Sequence, residues 1–323
     1  MKVLYLECNM GAAGDMLMGA LADLLPDREG FAARMNALGL PGVHVELRNA
    51  VKCGIVGTHA EVTVSGTEEE SLEVPMQGHA HGHDHEHTHG HDHEHPLTHD
   101  HEHTHAHEHA YVHEHAGEQY KAMRDHREAY AHYHAEIHDH DHGNVHPHTH
   151  PHTHVHRGMA EIEAMIERLE VSEKVKEDVK NIYRIIAEAE ASVHGTSVSD
   201  IHFHEVGTAD ALADITGCAL LMEELGVEKV VTSPINVGYG QVRCAHGILP
   251  VPAPAAARIL EGVPCYAGNV EGELCTPTGA AVLKYYTDEF RRLPQMVIRK
   301  TGYGMGKKDF PAANCVRAVL GEQ

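Results

Sequence analysis

The sequence predicts an α+β fold (irregular α/β), in which a mixed sheet packs against helices and a disordered His-rich insertion interrupts the core. Short strand-like apolar runs and amphipathic helical stripes follow one another without a strict alternating repeat. Residues 79–156 hold almost no apolar side chains, so burial cannot offset the entropy of ordering them. We therefore divide the chain into residues 1–78, an insertion at 79–156 and residues 157–323, with the first and last parts forming the core.

The insertion is a histidine tract. Of the 35 histidines in the chain, 29 lie within residues 79–156, and the run His-Gly-His-Asp-His-Glu-His at 81–87 recurs at 89–95. Imidazole binds nickel, zinc, copper and cobalt, and most of these rings are unprotonated near neutral pH. The tract therefore predicts that the protein handles a transition metal. We favour a reservoir role for it, because site-like geometry must come from the folded part.

The overall charge limits the classes of partner. The net charge is −23, of which the tract contributes −11 and the other residues −12. An acidic surface argues against nucleic acids and anionic membranes as partners. No apolar run approaches 18 residues, and Met1 and Lys2 lead directly into a strand-like segment, which predicts neither a membrane span nor a signal peptide. Seven cysteines without a Cys-x-x-Cys pair indicate a reducing cytoplasm rather than a disulfide framework.

Before the tract, the pattern predicts a buried strand, a loop, two helices and an antiparallel strand pair. Met16, Leu17 and Leu21 share one helical face, while Gly54 and Gly57 separate two alternating segments. The predicted ranges are a strand at 3–6, a loop at 7–13, a helix from 14 to the Pro-Asp pair at 26–27, a helix at 31–38, and strands at 43–47 and 60–64.

Helix signals are clearest after the tract. Ser172 is a predicted N-cap for a helix that runs through residue 193 and ends at Gly195, and Gly226 closes a helix at 208–225. Within the tract, wider-spaced apolar residues predict a marginal helix at 118–137. The other predictions are an amphipathic stripe at 162–169, helices at 254–260 and 278–290, strands at 201–206, 296–300 and 315–320, and one broken strand at 230–231 and 235–237.

The first candidate site combines two histidines with three carboxylates. His202 and His204 would point to one face of a strand, and Asp210 and Asp214 would share one face of the following helix. Together with Glu205, they make the ligand set of a metal site, or of a shell that orients metal ligands. The alternative is a pair of half-exposed histidines beside a solvated aspartate face.

Gly11, Gly14 and Asp15 lie between the first strand and the first helix. Glycines at such a junction let backbone N–H groups approach a phosphate. The pattern is neither a full Rossmann nor a Walker motif. Asp15 in the first helical turn can also simply complement the helix dipole, so spacing alone leaves both interpretations open.

Three further loops place reactive side chains beside glycine and proline. They are residues 244–247 with His246, residues 271–279 with Glu271, Glu273, Cys275, Thr276 and Thr278, and the glycine-rich residues 302–308 with two lysines. Loops held by rigid elements often carry binding sites, and glycine-rich backbone with lysines can seat an anion. The alternatives are helix capping by Thr278, a small buried Cys275, and a plain surface hairpin at 302–308.

Five long strings occur in order along the chain: Gly-Ala-Ala-Gly-Asp-Met at 11–16, His-Phe-His-Glu-Val-Gly at 202–207, Ser-Pro-Ile-Asn-Val-Gly at 233–238, His-Gly-Ile-Leu-Pro-Val-Pro-Ala-Pro at 246–254 and Glu-Gly-Glu-Leu-Cys-Thr-Pro-Thr-Gly-Ala-Ala at 271–281. With the closing Gly-Tyr-Gly-Met-Gly at 302–306, the chain resembles the LarC family of nickel-insertion proteins. The resemblance covers both flanks of the tract.

The resemblance implies a nickel chelatase of the lyase class. Such proteins use CTP to insert Ni²⁺ into pyridinium-3,5-bisthiocarboxylic acid mononucleotide, forming two Ni–S bonds and one Ni–C bond in the nickel-pincer cofactor of lactate racemase-type enzymes. It also implies a C-terminal region that binds CTP with Mg²⁺ or Mn²⁺. This chain lacks that region, so we expect a separately encoded partner chain and a receiving apo-enzyme. At residues 7–13 the sequence departs from the family, and Cys8 could offer a thiolate there.

This interpretation assigns roles to the candidate residues. Gly11, Gly14 and Asp15, or the loop at 302–308, would receive the phosphate, and either His246 or Glu273 would remove the ring proton. Residues predicted to bind or orient the metal are His202, His204, Glu205, Asp210, Asp214, His154 and His156. Residues predicted to line the pocket for the cofactor precursor are Glu271, Thr276 and Thr278, together with the two candidate bases.

Two other functions stay open at this stage. A nickel buffer or metallochaperone without catalysis would explain the tract alone. A metallohydrolase built on the His/Asp/Glu cluster is a weaker alternative, because the chain has no His-Glu-x-x-His or other hydrolase signature.

Overall fold

The computed structural model describes residues 1–67, 72–73, 157–203, 208–244 and 246–323. The helices of this part are α1 (Gly14–Ala22), α2 (Arg28–Ala37), α3 (Met159–Glu167), α4 (Glu173–His194), α5 (Ala209–Leu225), α6 (Pro254–Ile259) and α7 (Pro277–Tyr286). The strands are β1 (Lys2–Glu7), β2 (Val43–Lys52), β3 (Ile55–Val64), β4 (Leu72–Glu73), β5 (Arg157–Gly158), β6 (His202–Phe203), β7 (Lys229–Thr232), β8 (Ile235–Asn236), β9 (Gly238–Tyr239), β10 (Gln241–Cys244), β11 (Gly247–Pro250), β12 (Cys265–Tyr266), β13 (Gly272–Glu273), β14 (Glu289–Phe290), β15 (Val297–Met305) and β16 (Cys315–Glu322).

A seven-stranded mixed sheet organises the described residues. Its strand order is β14-β7-β1-β16-β15-β3-β2, with parallel pairs on both sides of the antiparallel β1-β16-β15 centre. Three of these strands precede the histidine tract and four follow it, so both flanks build one sheet. The predicted mixed sheet with packed helices is confirmed. The predicted disordered insertion and the marginal helix at 118–137 lie outside the described residues.

Strand β1 shows how the sheet separates two apolar clusters. Leu4 and Leu6 face the main core, whereas Val3 and Tyr5 pack with Val231 in a smaller cluster. This division follows from the alternation of side chains along a strand. These four β1 side chains are all buried, which explains why residues 3–6 form a continuous apolar run rather than an alternating pattern.

The predicted strand pair is longer than its apolar pattern indicated. Strands β2 and β3 pair without interruption from Val43 opposite Val64 to Lys52 opposite Ile55. Cys53 and Gly54 form the two-residue turn, and both have positive φ angles, of 50° and 80°. Two left-handed residues match the twist of a tight hairpin, so Gly54 supports pairing well beyond the predicted segments.

Helix α1 lies directly on strand β15. A Cβ atom added to Gly304 would come within 1.8 Å of the Met16 carbonyl oxygen, and one added to Gly302 within 2.4 Å of the Ala20 carbonyl oxygen. Both glycines therefore allow the helix backbone to touch the strand. The alternative of a plain surface hairpin at 302–308 is wrong, because its first four residues belong to a central sheet strand.

The long helix α4 follows its sequence signals. The Ser172 hydroxyl oxygen accepts a hydrogen bond from the Val175 N–H at 3.1 Å, and Gly195 ends the helix in the left-handed conformation. One face of α4 packs on α5, α6 and α7, and α5 packs on α1, which itself covers the sheet. Through α5 and α1, helix α4 is thus connected to the sheet.

The helix predicted at 278–290 is shorter than expected, and the strand predicted at 201–206 is only partly described. The helix predicted at 278–290 stops at Tyr286, because the Asp288 and Arg291 N–H groups donate to the Val230 and Thr232 carbonyls and add β14 to the sheet edge. The strand predicted at 201–206 is described only as β6, which pairs with β5, and residues 204–207 lie outside the described part. None of the described helices combines the length and apolar character of a membrane span.

Candidate functional site

Two distant loops interlock at the start of helix α1. The Ala12 N–H donates to the Leu274 carbonyl at 2.9 Å, and the Thr276 N–H donates to the Ala12 carbonyl at 3.1 Å. These bonds join the segment between β1 and α1 to the segment before α7. The structure therefore brings together two of the sequence strings that were predicted to line one pocket.

Glycines at this junction allow the two loops to approach closely. Gly11 has a φ of +75°, and a Cβ atom there would lie 1.9 Å from the Leu274 carbonyl oxygen. A Cβ on Gly279 would lie 2.2 Å from the Ala12 carbonyl oxygen. Packing within the chain explains these glycines, whereas phosphate binding by Gly11 and Gly14 stays a prediction.

Helix α7 begins one turn away with its own cap. The Thr276 hydroxyl oxygen accepts a hydrogen bond from the Gly279 N–H at 3.2 Å, and Pro277 occupies the first helical position. Thr278 is buried in the first turn. The alternative in which Thr278 caps this helix is therefore wrong, because proline starts the helix and the cap must precede it.

Glu273 lies on β13, which pairs with β9, and Glu271 packs its side chain near Gly240. Burial, followed by the charge of Glu273, raises the pKa of Cys275 to about 12. Burial also raises the pKa of Cys8 well above its usual value. Both cysteines are therefore neutral thiols at neutral pH when no metal is bound, so a thiolate ligand at either position requires metal binding to displace the proton.

An acidic cluster lies at the N-terminus of α1. A Cβ on Gly14 would come within 2.4 Å of Asp214 Oδ2, and the Asp214 carboxylate accepts a hydrogen bond from the Asp15 backbone N–H. The Oδ1 atoms of Asp210 and Asp214 are both buried and accept no hydrogen bond. Two acceptors are therefore desolvated without compensation, an arrangement that is rare in folded proteins.

Burial and neighbouring charges determine the pKa of Asp214. Burial, then the charges of Asp15 and Asp210, raise its pKa well above the usual range, while Lys307 opposes the shift. The cluster thus joins three predicted segments: the α1 loop, the first turns of α5 and the lysine-bearing loop after β15. A divalent cation bound here would relieve the repulsion that raises this pKa.

Tyr183 completes the cluster and was missed by sequence reasoning. Its side chain is fully buried, its hydroxyl group has no hydrogen-bond partner, and burial followed by the charges of Asp210 and Asp214 raises its pKa. Tyr183 occupies the apolar stripe of α4, where it is indistinguishable from a core residue in sequence. Its ring packs edge-on against Phe203 at a centroid distance of 6.0 Å.

The predicted metal set is only partly described. His202 is exposed on β6, and His204, Glu205, His154 and His156 lie outside the described residues. Within the ranges that the structure does describe, no group of three or more His, Cys, Asp or Glu residues could hold a metal ion. The described portion of the cluster therefore consists of carboxylates, and the histidine ligands stay predictions.

His246 is not among the residues of the acidic cluster described above. It lies exposed in the turn between β10 and β11, and its ring centroid is 4.9 Å from that of His194 at the end of α4. His194 was not predicted as a site residue. No sequence signal connects the two histidines, because they are far apart in the chain and His194 lies outside the strings that carry the resemblance.

Comparison with known proteins identifies the family. The family model described as nickel insertion protein matches residues 4–323. The chain belongs to this family. The match extends over both flanks of the histidine tract and confirms the resemblance to LarC proteins that the sequence strings indicated.

Curated relatives of the family carry a specific name. Proteins named pyridinium-3,5-bisthiocarboxylic acid mononucleotide nickel insertion protein are 44% identical in Desulfitobacterium hafniense (strain DSM 10664 / DCB-2), 36% in Clostridium acetobutylicum and 33% in Geobacillus kaustophilus. Each alignment covers 100% of this chain but only 59%, 64% and 60% of the respective relative. The chain thus spans about three fifths of these relatives' length. No solved structure matches it significantly.

Proposed function

We propose that this chain is the metal-handling part of a nickel chelatase that inserts Ni²⁺ into pyridinium-3,5-bisthiocarboxylic acid mononucleotide. The observation that carries the proposal is the pair of buried, unpartnered carboxylate oxygens on Asp210 and Asp214 beside the unpartnered Tyr183 hydroxyl. The substrate class comes from the names of the curated relatives. Nickel is the cargo of this reaction rather than a resident cofactor.

Asp210 and Asp214 would bind the incoming Ni²⁺ through the oxygens that lack partners. A buried carboxylate without a counter-charge destabilises the metal-free protein. A bound dication removes this unfavourable term, which strengthens its binding. Of the predicted ligands, His202, His204 and Glu205 would complete the site. His154 and His156, at the end of the tract, would supply metal to it.

The precursor would bind between the interlocked loops, where Glu271, Thr276 and Thr278 were predicted to line its pocket. The N-terminus of α1 already contacts the Asp214 carboxylate, and Asp15 adds negative charge there. A phosphate would be repelled from that side. Between the two predicted phosphate seats, we therefore favour the loop after β15, where Lys307 is exposed.

Formation of the Ni–C bond requires removal of a proton from the pyridinium ring. Of the two predicted bases, Glu273 lies on β13 within the interlocked loops, while His246 lies on the exposed turn beside His194. We therefore assign proton removal to Glu273. The charge of its carboxylate raises the pKa of the neighbouring Cys275 thiol, which supports this assignment.

Nucleotide use belongs to the proposal for the whole protein. The chain spans about three fifths of its relatives' length, and CTP with Mg²⁺ or Mn²⁺ would bind the C-terminal CTP-binding part that the family resemblance implies. The finished cofactor would pass to a nickel-pincer-dependent apo-enzyme in the cytoplasm. Nucleic acids and membranes have no place in this scheme, since the surface is acidic.

An anaerobic reconstitution tests the proposal. Purified chain, Ni²⁺, the bisthiocarboxylate mononucleotide, CTP and the C-terminal part of a relative would be combined, and the nickel-pincer product followed by mass spectrometry. Asp214→Asn should lower the initial rate by at least tenfold at saturating nickel. Asp200→Asn, at an exposed position outside the cluster, is the matched control and should retain the rate. A folded Asp214→Asn protein with an unchanged rate would refute the assignment.

A nickel buffer or metallochaperone is the second candidate, and the 29 histidines of the tract favour it. A buffer would bind many Ni²⁺ ions and yield no pincer product in any mixture, including those with CTP and the C-terminal part. Product formed only when this chain is present would exclude a purely passive role.

A further inference from the structure

A cleft lies at the carboxyl ends of three parallel strands. Strands β14, β7 and β1 run parallel in the sheet. Glu7 ends β1, Ser233 follows β7, and Arg292 lies two residues after β14. Together with Asn9 and Tyr266, these residues line a cleft of about 580 Å³. Ligands of open sheets usually bind outside the carboxyl ends of parallel strands, and this volume suits a small molecule.

The cleft is separate from the acidic cluster. Leu4 and Leu6 of β1 face the main core, which contains residues of α1 and α5. Tyr5 packs on the opposite face of the sheet, and Glu7 shares its direction because side chains alternate along a strand. The acidic cluster lies at the N-terminus of α1, on the core side. A ligand in the cleft would therefore leave the proposed metal site open.

The sequence string at 233–238 forms one wall of the cleft. The Ser233 hydroxyl oxygen accepts a hydrogen bond from the Cys8 N–H at 2.9 Å. Asn236 Nδ2 donates to the Asn9 carbonyl at 2.9 Å, and Asn236 Oδ1 accepts from the Gly268 N–H at 2.9 Å. These side chains hold the surrounding loops together. The groups that remain available to a ligand therefore come from other segments of the lining.

The uncompensated charge in the lining of the cleft is positive. Glu7 forms an ion pair with Arg317, which neutralises its carboxylate. Arg291 is likewise paired with Glu289, at 3.0 Å. Arg292 is exposed, and within the described part of the chain its guanidinium has neither a hydrogen bond nor an ion pair. A free guanidinium can bind a phosphate group through two parallel hydrogen bonds.

Tyr266 adds an aromatic ring to the same cleft. The residue is 42% exposed, and its hydroxyl group donates to Asn9 Oδ1 at 3.5 Å. Its backbone is held in place, because β12 pairs with β8 through Tyr266 and Asn236. An exposed aromatic ring can stack on a flat heterocycle, and its electron-rich face attracts a cationic one. The cleft thus combines an anion-binding group with a ring-binding group.

We propose that this cleft binds a mononucleotide, with the phosphate group at Arg292 and the heterocycle on Tyr266. The binding itself does not depend on the proposed function. Identifying the ligand as the pyridinium precursor does rest on the proposed function, and the cleft would then hold the precursor outside the interlocked loops. A nucleotide with an uncharged ring is the other source of the same chemistry.

Isothermal titration calorimetry of the full chain, in chelator and without nickel, tests the proposal. The probes are nicotinamide mononucleotide, AMP, ribose 5-phosphate and nicotinamide riboside. We expect one site for a mononucleotide, and binding about tenfold weaker for the probes that lack the ring or the phosphate group. Tighter binding of nicotinamide mononucleotide would indicate a pyridinium ligand, and tighter binding of AMP a separate nucleotide. Absence of binding by both at millimolar concentration would overturn the proposal.

Variants locate the bound mononucleotide. Arg292→Gln should weaken its binding about tenfold, whereas Arg168→Gln, at an exposed position at the end of α3, should leave it unchanged. Tyr266→Leu should weaken binding, and Tyr266→Phe, which keeps the ring, should retain it. Affinity that survives in Arg292→Gln but is lost in Lys307→Gln would place the ligand in the loop after β15 and overturn the cleft. Failure of nickel insertion would be seen separately, in the reconstitution.

Discussion

Asp178 on α4 and Asp214 on α5 are aspartates of adjacent helices with opposite hydrogen-bonding environments. Asp178 is buried and accepts hydrogen bonds from the Tyr285 and Tyr286 hydroxyls at 2.8 and 2.9 Å and from Lys174 at 2.8 Å. Asp214 has a single backbone donor at Asp15 and a buried oxygen without any donor. Both oxygen atoms of the Asp178 carboxylate accept hydrogen bonds from the fold, whereas Asp214 retains one oxygen atom that can accept a bond from a ligand.

The difference shows where stability and function are separated in this core. A buried carboxylate with a full set of donors ties its helix to the element that supplies them, here α4 to α7. A buried carboxylate without a full set costs stability, and such groups are retained where a ligand satisfies them. Four substitutions can break or sharpen this comparison.

The largest effect is expected for Asp178→Ala. It leaves the Tyr285 and Tyr286 hydroxyls without their acceptor and opens space between α4 and α7, so we expect the free energy of unfolding to fall by about 3 kcal/mol. Denaturant titration followed by circular dichroism measures this. Lys174→Ala is the control, because its side chain is 64% exposed and the change should cost less than about 1 kcal/mol. Equal losses of unfolding free energy in both variants would contradict the proposed role of Asp178 in holding α4 to α7.

Asp214→Asn should have a smaller effect of the opposite sign in metal-free protein. The amide keeps an acceptor for the Asp15 N–H but carries no buried charge, so we expect a gain of about 1 kcal/mol at neutral pH, together with loss of nickel insertion. The pH dependence gives the sign. Because the folded pKa of Asp214 is raised, stability falls as pH rises from about 4, the unfolded value, through the folded pKa.

Asp214→Asn should therefore flatten the dependence of stability on pH across that window. Thermal unfolding of both proteins, in chelator and at several pH values, measures the difference. A profile that stays as steep in the variant would show that Asp214 is ionised without penalty and that the comparison with Asp178 fails.

The smallest effect is expected from removing one hydroxyl at two tyrosines. Tyr183→Phe deletes a buried hydroxyl without a partner, so stability should be unchanged or rise by up to about 1 kcal/mol, while the insertion rate falls. Tyr285→Phe deletes a donor to Asp178 and should destabilise by about 1 kcal/mol without affecting insertion. Denaturant titration and reconstitution report the two quantities. The same sign of stability change in both variants would remove the distinction.

Local signals in the sequence predicted a substantial part of the fold. Ser172 and Gly195 bound α4, and Gly226 ends α5 as expected, because capping depends on neighbouring backbone groups alone. The helix before residue 290 was predicted too long. Its end is set by hydrogen bonds to Val230 and Thr232, which belong to a strand more than 50 residues away.

The candidate site was predicted in composition but not in arrangement. Asp210 and Asp214 were named from their helical spacing, and the structure places them together with Asp15 and Lys307. Tyr183 was not predicted, since an apolar stripe contains no information about a hydroxyl group that lacks a partner. His246 was predicted as a base, and only the structure shows that its ring lies 4.9 Å from that of His194.

The sequence by itself determined the metal-related composition, the helix boundaries set by caps and the membership of the nickel insertion family, because these depend on local chemistry and on long motifs in order. Only the tertiary structure decided which carboxylate oxygens are buried without donors, which loops interlock and which two histidines meet. Those properties arise from contacts between residues far apart in the chain, and desolvation exists only once such segments pack together.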